Sequence, residues 1–128
     1  MTLYLSVEQV LRIHGRQVEN FGGSEGLRDR GLLEAAIQRP QATFGGEDLH
    51  ADPAAKAAAL MHALIANHPF VDGNKRTGAM AAELFLLFNG CELAADDVGL
   101  ESVAMAVVRG ELSAGELAIW IRQRVEAI

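Results

Sequence analysis

Apolar residues recur at helical spacing through most of the chain, and this pattern predicts six helices. Helix-start signals support several of them: Ser6 to Gln9 has capping-box spacing, and Asp52-Pro53 combines an N-cap with a proline at the first helical position. The predicted helices cover about 6–20, 30–38, 54–67, 74–88, 97–108 and 113 to the C-terminus. Segment 41–50 is predicted to be a loop.

These helices predict an all-α fold. The chain shows no alternating strand pattern longer than Thr2 to Leu5. Half of its 128 residues are apolar, which is enough for one core and indicates a single domain, 1–128, built as a compact bundle of about six helices. Segment 74–88 is apolar almost all round, so we expect it to be the central helix.

Charge and cysteine content narrow the possible partners and compartment. The formal charge of −6 argues against direct binding to nucleic acid or a membrane surface, since both are anionic. Cys91 is the single cysteine, so the chain fits a reducing compartment such as a bacterial cytosol. The first residues lack the features of a signal peptide, and no apolar run reaches 18 residues. We therefore expect a cytoplasmic protein.

The densest chemistry lies between the third and fourth predicted helices, in His68-Pro69-Phe70-Val71-Asp72-Gly73-Asn74-Lys75-Arg76-Thr77. Pro69 cannot extend the preceding helix, so this segment is predicted to be a loop that ends on a helix N-terminus. Unpaired N–H groups and the positive end of the helix dipole favour an anion there. Lys75 and Arg76 make a phosphate the natural ligand.

Each polar residue of this loop suggests a role. His68 can accept a proton from an attacking hydroxyl at neutral pH. Asp72 offers hard oxygen ligands for a magnesium ion shared with substrate phosphates. Gly73 lets the backbone approach phosphates, and the N–H groups of Gly73, Asn74 and Lys75 are predicted to point into one concavity. Phe70 and Val71 are predicted to anchor the loop in the core.

Structural explanations compete with these roles. His68 before a proline can simply end a helix, and Asp72-Gly73 is first of all a turn signal. Lys75-Arg76 could be a solvated first turn, but cations there oppose the helix dipole, which favours a bound anion. The segment 22–26 is interpreted as a helix stop and connector rather than a phosphate loop.

The remaining candidates favour structural roles. His14, His50 and His62 lack partners at metal-ligand spacing, so we predict no zinc site, and Cys91 is interpreted as a buried or half-buried thiol. A P-loop is rejected, because its first glycine and the preceding strand are missing.

The segment 68–76 resembles the signature of the Fic/Doc superfamily, and its lysine form is similar to the death-on-curing (Doc) toxins of toxin–antitoxin modules. The similarity extends over nearly the entire chain, through segments 10–14, 22–24, 26–29, 31–34 and 39–46. The resemblance implies that ATP and Mg²⁺ bind at the loop and the following helix. It implies His68 as general base, Asp72 as metal ligand, and Gly73, Asn74, Lys75, Arg76 and Thr77 as nucleotide and phosphate contacts.

The resemblance also implies the reaction. Most Fic members transfer AMP, and their motif has a second glycine where this chain has Lys75 and a further arginine where it has Ala79. Doc-type members resemble kinases that phosphorylate a threonine of an elongation factor of the EF-Tu kind. The implied partner is a Phd-like antitoxin whose C-terminal segment occupies a groove near the active site, and we expect that groove along the first helix and residues 22–30. An AMP transferase and an inactive antitoxin-binding module remain as alternatives.

Overall fold

The computed structural model describes residues 1–128 and confirms a helical fold with six α-helices. The helices are α1 (Val7–Phe21), α2 (Arg30–Gln38), α3 (Pro53–Ala66), α4 (Asn74–Phe88), α5 (Asp97–Val108) and α6 (Ala114–Arg122). A 3₁₀ turn, Arg39–Gln41, follows α2. None of these helices has both the length and the apolar character needed to cross a membrane.

Helices α3 and α4 form the centre of the bundle. Helix α3 packs against α2, α4, α5 and α6, while α4 packs against α1, α3 and α5. Helix α4 was expected to be the central helix, but α3 is the more enclosed of the two. Ten residues of α3 are buried, compared with seven of α4. The reason is composition: alanines on α3 let neighbours approach on every side, whereas α4 also carries the polar residues of the motif.

Gly78 allows α3 and α4 to approach closely. A Cβ at this position would lie 2.9 Å from Ile65 Cγ1 and 3.2 Å from the Met61 carbonyl oxygen, both on α3. This contact is one turn beyond the start of α4. It therefore fixes how the loop between the two helices is presented.

Two small sheets complete the fold and correct the sequence prediction. Strands β1 (Thr43–Phe44) and β2 (Glu47–Asp48) form a hairpin within the segment predicted to be a loop, and its turn is Gly45-Gly46 with positive φ at both residues. Strands β3 (Cys91–Leu93) and β4 (Val125–Ala127) pair antiparallel. Helix α6 therefore ends at Arg122 instead of continuing to the C-terminus, because the last residues pair with a strand more than thirty residues away.

Candidate active site

The start of helix α4 differs from that of the five other α-helices. Five helices begin with a side-chain cap, supplied by Ser6, Asp29, Asp52, Asp96 and Ser113. Helix α4 begins after Gly73, which has φ +81° and provides no side-chain cap. The first bonded N–H is that of Thr77, so the N–H groups of Asn74, Lys75 and Arg76 have no partner in the protein. Three donors and the positive end of the dipole are thus open to an anion.

A cavity of about 710 Å³ opens at this helix start, between the end of α1 and helices α4 and α5. Six of the predicted site residues line it: His68, Asp72, Gly73, Asn74, Lys75 and Arg76. Glu83, Asp97 and Glu101 also line the cavity. Burial, and to a smaller extent the charge of Asp97, raises the pKa of the Glu83 carboxyl. Because the cavity has a cationic and an acidic part, an anionic group is favoured at the start of α4.

His68 is held by its backbone and leaves its ring free. Its φ of +54° is unusual for a residue other than glycine. Arg28 stabilises this conformation, since its Nε donates to the His68 carbonyl oxygen at 2.7 Å and its guanidinium donates to the Asn67 carbonyl oxygen at 3.0 Å. The backbone N–H groups of Arg28 and Asp29 donate to the Pro69 carbonyl oxygen. The His68 residue is exposed on the cavity wall, where a base needs an accessible nitrogen.

The carboxylate of Asp72 is oriented by two backbone N–H groups. Gly73 donates to Oδ1 at 2.8 Å and Ser24 donates to Oδ2 at 3.2 Å. The Gly73 N–H was expected among the donors open to a phosphate, but in the structure it is bonded to this carboxylate. Gly23 is close to this carboxylate, because a Cβ there would lie 2.7 Å from Oδ2, and its φ is +107°. The glycine segment after α1 was predicted to be a helix stop and connector. It does end α1 at Phe21, but it also holds Asp72.

Phe70 is buried beneath the motif loop, with 1% of its surface exposed. Val71 was expected to anchor the loop as well, but it is 51% exposed and is not part of the core. The side chain of Asn74 accepts a hydrogen bond from the Phe70 N–H and donates one to the Phe70 carbonyl oxygen, both at 3.0 Å. This amide therefore fixes the loop, and the part of Asn74 open to an anion is its backbone N–H. Thr77 is fully buried and does not line the cavity, so its hydroxyl does not face a nucleotide bound there.

The two cations of the motif are placed at the cavity wall without carboxylate partners. Lys75 Nζ lies 3.0 Å from the sulfur of Met105, which is a weak acceptor. The guanidinium of Arg76 lies over the ring of Phe21, 4.5 Å from its centroid. Neither forms a salt bridge. Both charges are therefore available to neutralise a bound anion.

His14 and Arg28 contribute to the site although sequence analysis assigned them no role in it. His14 is buried on α1, with Nε2 2.7 Å from the Asp72 carbonyl oxygen and its ring stacked on Phe70. The motif loop thus depends on a histidine and an arginine from the first thirty residues. No local sequence signal marks such contacts, because their partners lie 40 to 58 residues away.

No group of three or more His, Cys, Asp or Glu side chains is placed to enclose a metal ion. Asp72 presents a carboxylate in the part of the cavity at the start of α4, and each of its oxygens retains a lone pair beyond the hydrogen bond it accepts. Magnesium is commonly held by one or two carboxylates together with substrate phosphates and water. The donor set therefore fits an ion that binds jointly with a phosphate ligand.

The protein is thus helical, and its motif loop places a histidine, an aspartate and an uncapped helix start around one cavity, which is a candidate site for an anion. The model of the Fic/DOC family matches residues 4–86, and the chain belongs to this family. It is 51% identical over 96 residues to Toxin Doc of Mycolicibacterium smegmatis, covering 75% of this chain and 72% of the relative. It is 32% identical over 120 residues to Protein kinase doc of Escherichia phage P1, covering 94% of each.

Proposed function

We propose that this protein is an ATP-dependent protein kinase and the toxin of a toxin–antitoxin module, which phosphorylates a threonine of an elongation factor of the EF-Tu kind. The observation that carries the proposal is the uncapped start of α4, which faces a cavity that His68 also lines. The names of the two relatives, a toxin and a protein kinase, support it. Blocking that factor would stop translation in the cytoplasm.

In the proposed complex the phosphates of ATP lie against the start of α4. The N–H groups of Asn74, Lys75 and Arg76 donate to them, and the two side-chain cations neutralise their charge. Asp72 would hold a magnesium ion shared with the phosphates, and this ion would supply charge neutralisation when bound. Glu83 and its acidic neighbours disfavour phosphate at the other part of the cavity.

The chemical step needs one proton acceptor and accurate positioning. The threonine oxygen attacks the γ-phosphorus while His68 takes the hydroxyl proton, and the bond from the γ-phosphorus to the bridging oxygen breaks with release of ADP. General base catalysis of this kind contributes roughly a hundred- to ten-thousand-fold in rate. The rest comes from the cationic cradle and from alignment of the two reactants.

Transfer of the γ-phosphate is favoured over transfer of AMP by two positions on α4. The motif of AMP-transferring members has glycine at the position of Lys75, so this chain has an additional cation there. Their motif has arginine at the position of Ala79, so this chain has an uncharged cavity wall there. A label experiment separates the reactions. We expect transfer of label from γ-labelled ATP to the elongation factor and none from α-labelled ATP. Label transferred from the α-position would establish the AMP transferase instead.

Variants of two histidines test whether the site is catalytic. His68→Ala should abolish both label transfer and growth arrest on induced expression, because the proposed general base is removed from the cavity. His62→Ala is the matched control, since His62 contacts the Leu112 carbonyl oxygen and does not line the cavity. Growth arrest that persists in His68→Ala would favour a non-enzymatic binding module.

Lys75→Gly tests the contribution of the cation that distinguishes this motif. Removal of Nζ should weaken γ-phosphate transfer about tenfold or more, because one charge-assisted contact to the phosphates is lost. The labelled-nucleotide assay also detects any AMP transfer that the variant gains. Unchanged kinetics would remove Lys75 from the proposed mechanism.

We further propose that a groove of about 250 Å³ between α1 and α4 receives the C-terminal segment of a Phd-like antitoxin. It is lined by Leu5, Gln9, Arg12, Ile13, Arg16, Leu84 and Phe88. Its apolar floor and two arginines suit an amphipathic segment with acidic residues. Residues 22–30, which were expected to share the groove, do not line it, and several of them contact the motif loop instead.

Substitution at the rim of this groove tests the antitoxin proposal. Phe88→Asp together with Arg16→Glu should weaken binding of the antitoxin encoded by the neighbouring reading frame by at least about a hundredfold. The first change removes an apolar contact, and the second changes a positive charge to a negative one. Ile119→Asp, on the exposed side of α6, is the matched control. Unchanged antitoxin affinity would place the partner elsewhere.

A further inference from the structure

We propose that His14 is a positioning residue that fixes the orientation of the peptide between Asp72 and Gly73, and thereby keeps the motif loop in the form that accepts an anion. The inference rests on the proposed function for the identity of the anion, ATP. It assigns to α1 a direct part in preparing the phosphate site.

The geometry of His14 defines the direction of its hydrogen bond. Nε2 lies 2.7 Å from the carbonyl oxygen of Asp72, and a carbonyl only accepts, so Nε2 carries the hydrogen. The ring is 5% exposed and stacks on Phe70, with 3.9 Å between ring centroids and 5° between planes. His14 does not line the cavity. It therefore holds the carbonyl of Asp72 on the side of the loop that faces α1.

The orientation of this peptide matters because its two polar groups point in opposite directions. In a planar trans peptide the carbonyl of Asp72 and the N–H of Gly73 are antiparallel. With the carbonyl held by His14, the Gly73 N–H donates to Asp72 Oδ1 at the cavity wall. Rotation of the peptide by half a turn would point a carbonyl oxygen toward the phosphates and would release the carboxylate. Both changes weaken binding of an anion.

Gly73 makes such a rotation accessible, so a restraint is needed. Its φ is +81°, and glycine adopts the corresponding negative φ about as readily. The other hydrogen bonds that fix the loop act on the backbone of residues 67–71 and, from the Ser24 N–H, on the side chain of Asp72. The Gly73 N–H is bonded to the carboxylate of Asp72, which the Ser24 N–H also holds, so Ser24 restrains the peptide only through that side chain. His14 is the group outside the loop that restrains this peptide directly.

Three variants separate the donor from the ring. His14→Phe keeps an aromatic ring against Phe70 but has no donor, whereas His14→Gln keeps an N–H donor without the ring. His62→Phe removes a comparable histidine-to-carbonyl hydrogen bond, 3.1 Å to the Leu112 oxygen, away from the motif loop. Calorimetric titration with ATP and Mg²⁺ should show at least about tenfold weaker binding for His14→Phe. His14→Gln and His62→Phe should stay within about threefold of the parent protein.

A structural measurement makes the test independent of nucleotide binding. In ¹⁵N-edited NMR spectra without ligand, rotation of the peptide changes the sequential NOE from Asp72 Hα to the Gly73 amide proton and the amide couplings of Gly73. We expect these changes in His14→Phe and not in His14→Gln or His62→Phe. If the parent protein binds no ATP, the proposed function fails while these spectra still decide the role of His14. Parent-like spectra and ATP affinity in His14→Phe would overturn the inference.

Discussion

Replacement of Asn74 by alanine should destabilise the protein strongly, because this amide satisfies two backbone groups in the core. The N–H and the carbonyl oxygen of Phe70 each have Asn74 as hydrogen-bond partner, at 3.0 Å, and Phe70 is 1% exposed. An unsatisfied buried polar group costs about 1–3 kcal/mol, so two of them cost about 2–6 kcal/mol. Water entering the vacated space lowers this cost, and we expect about 3 kcal/mol.

The expected loss is large enough to measure by thermal and urea unfolding. The unfolding entropy of about 2.1 cal/mol/K per residue gives about 0.27 kcal/mol/K for this chain, so 3 kcal/mol corresponds to a Tm about 10 °C lower. Asn20→Ala, at an exposed position on α1, is the matched control and should change stability by less than about 0.5 kcal/mol. Asn74→Asp keeps the acceptor for the Phe70 N–H but loses the donor, and it should also be unstable.

The outcome also decides how Asn74 serves the site. If Asn74→Ala unfolds with the same midpoint as the parent protein but loses affinity for ATP, the side chain acts on the ligand and the structural argument is wrong. If stability falls by about 3 kcal/mol, the amide is the support of the loop. Hydrogen exchange of the Phe70 amide, protected in the parent and fast in the variant, provides a local check.

Three further substitutions test the supports and the charge of the site. Gly23→Ala should reduce stability and Mg²⁺-dependent ATP binding, because the added Cβ would clash with the Asp72 carboxylate. Gly22 also has a positive φ but has open space around it, so Gly22→Ala should reduce stability alone. Equal ATP binding in both variants would contradict this reasoning. Arg28→Met should lower the free energy of unfolding in urea by about 1–2 kcal/mol and should also lower kinase turnover, because two carbonyl oxygens just after α3 lose their donor. An unfolding midpoint and a turnover equal to those of the parent would show that Arg28 is dispensable. Glu83 has a raised pKa in the folded protein, so its contribution to stability is present below its ordinary pKa and is lost as pH rises through the raised value. Glu83→Gln should therefore gain stability relative to the parent as pH rises above the ordinary pKa of a glutamate, by less than about 1 kcal/mol because the group is half-buried. A pH-independent difference in unfolding free energy would refute the assignment.

The helix boundaries could be predicted from the sequence because their signals are local. Asp29 caps α2 and Ser113 forms a capping box at α6, and both helices begin at the next residue. The predicted starts and ends of α4 and α5 agree with the structure as well. The end of α6 was missed, because pairing of Val125–Ala127 with Cys91–Leu93 is a long-range event in short strands without a clear alternating pattern.

The candidate site was predictable only as far as the motif itself. His68, Asp72 and the two cations were expected at one helix start, and the structure brings them to one cavity. The buried side chain of Thr77 and the structural role of the Asn74 amide depend on which face of α4 turns inward, and a motif alone does not specify this. The supports from the first thirty residues required the tertiary fold.

Dependence on the first thirty residues makes the motif conditional on a distant part of the chain. His14, Ser24 and Arg28 contact loop residues that lie 58, 48 and 40 positions further along the chain. A peptide of residues 68–77 would contain all the polar side chains of the motif but none of the three residues that hold the loop in its conformation. Proteolytic removal of the segment before α2 would consequently take away these three contacts together with core residues of α1, although residues 68–77 would remain in the chain.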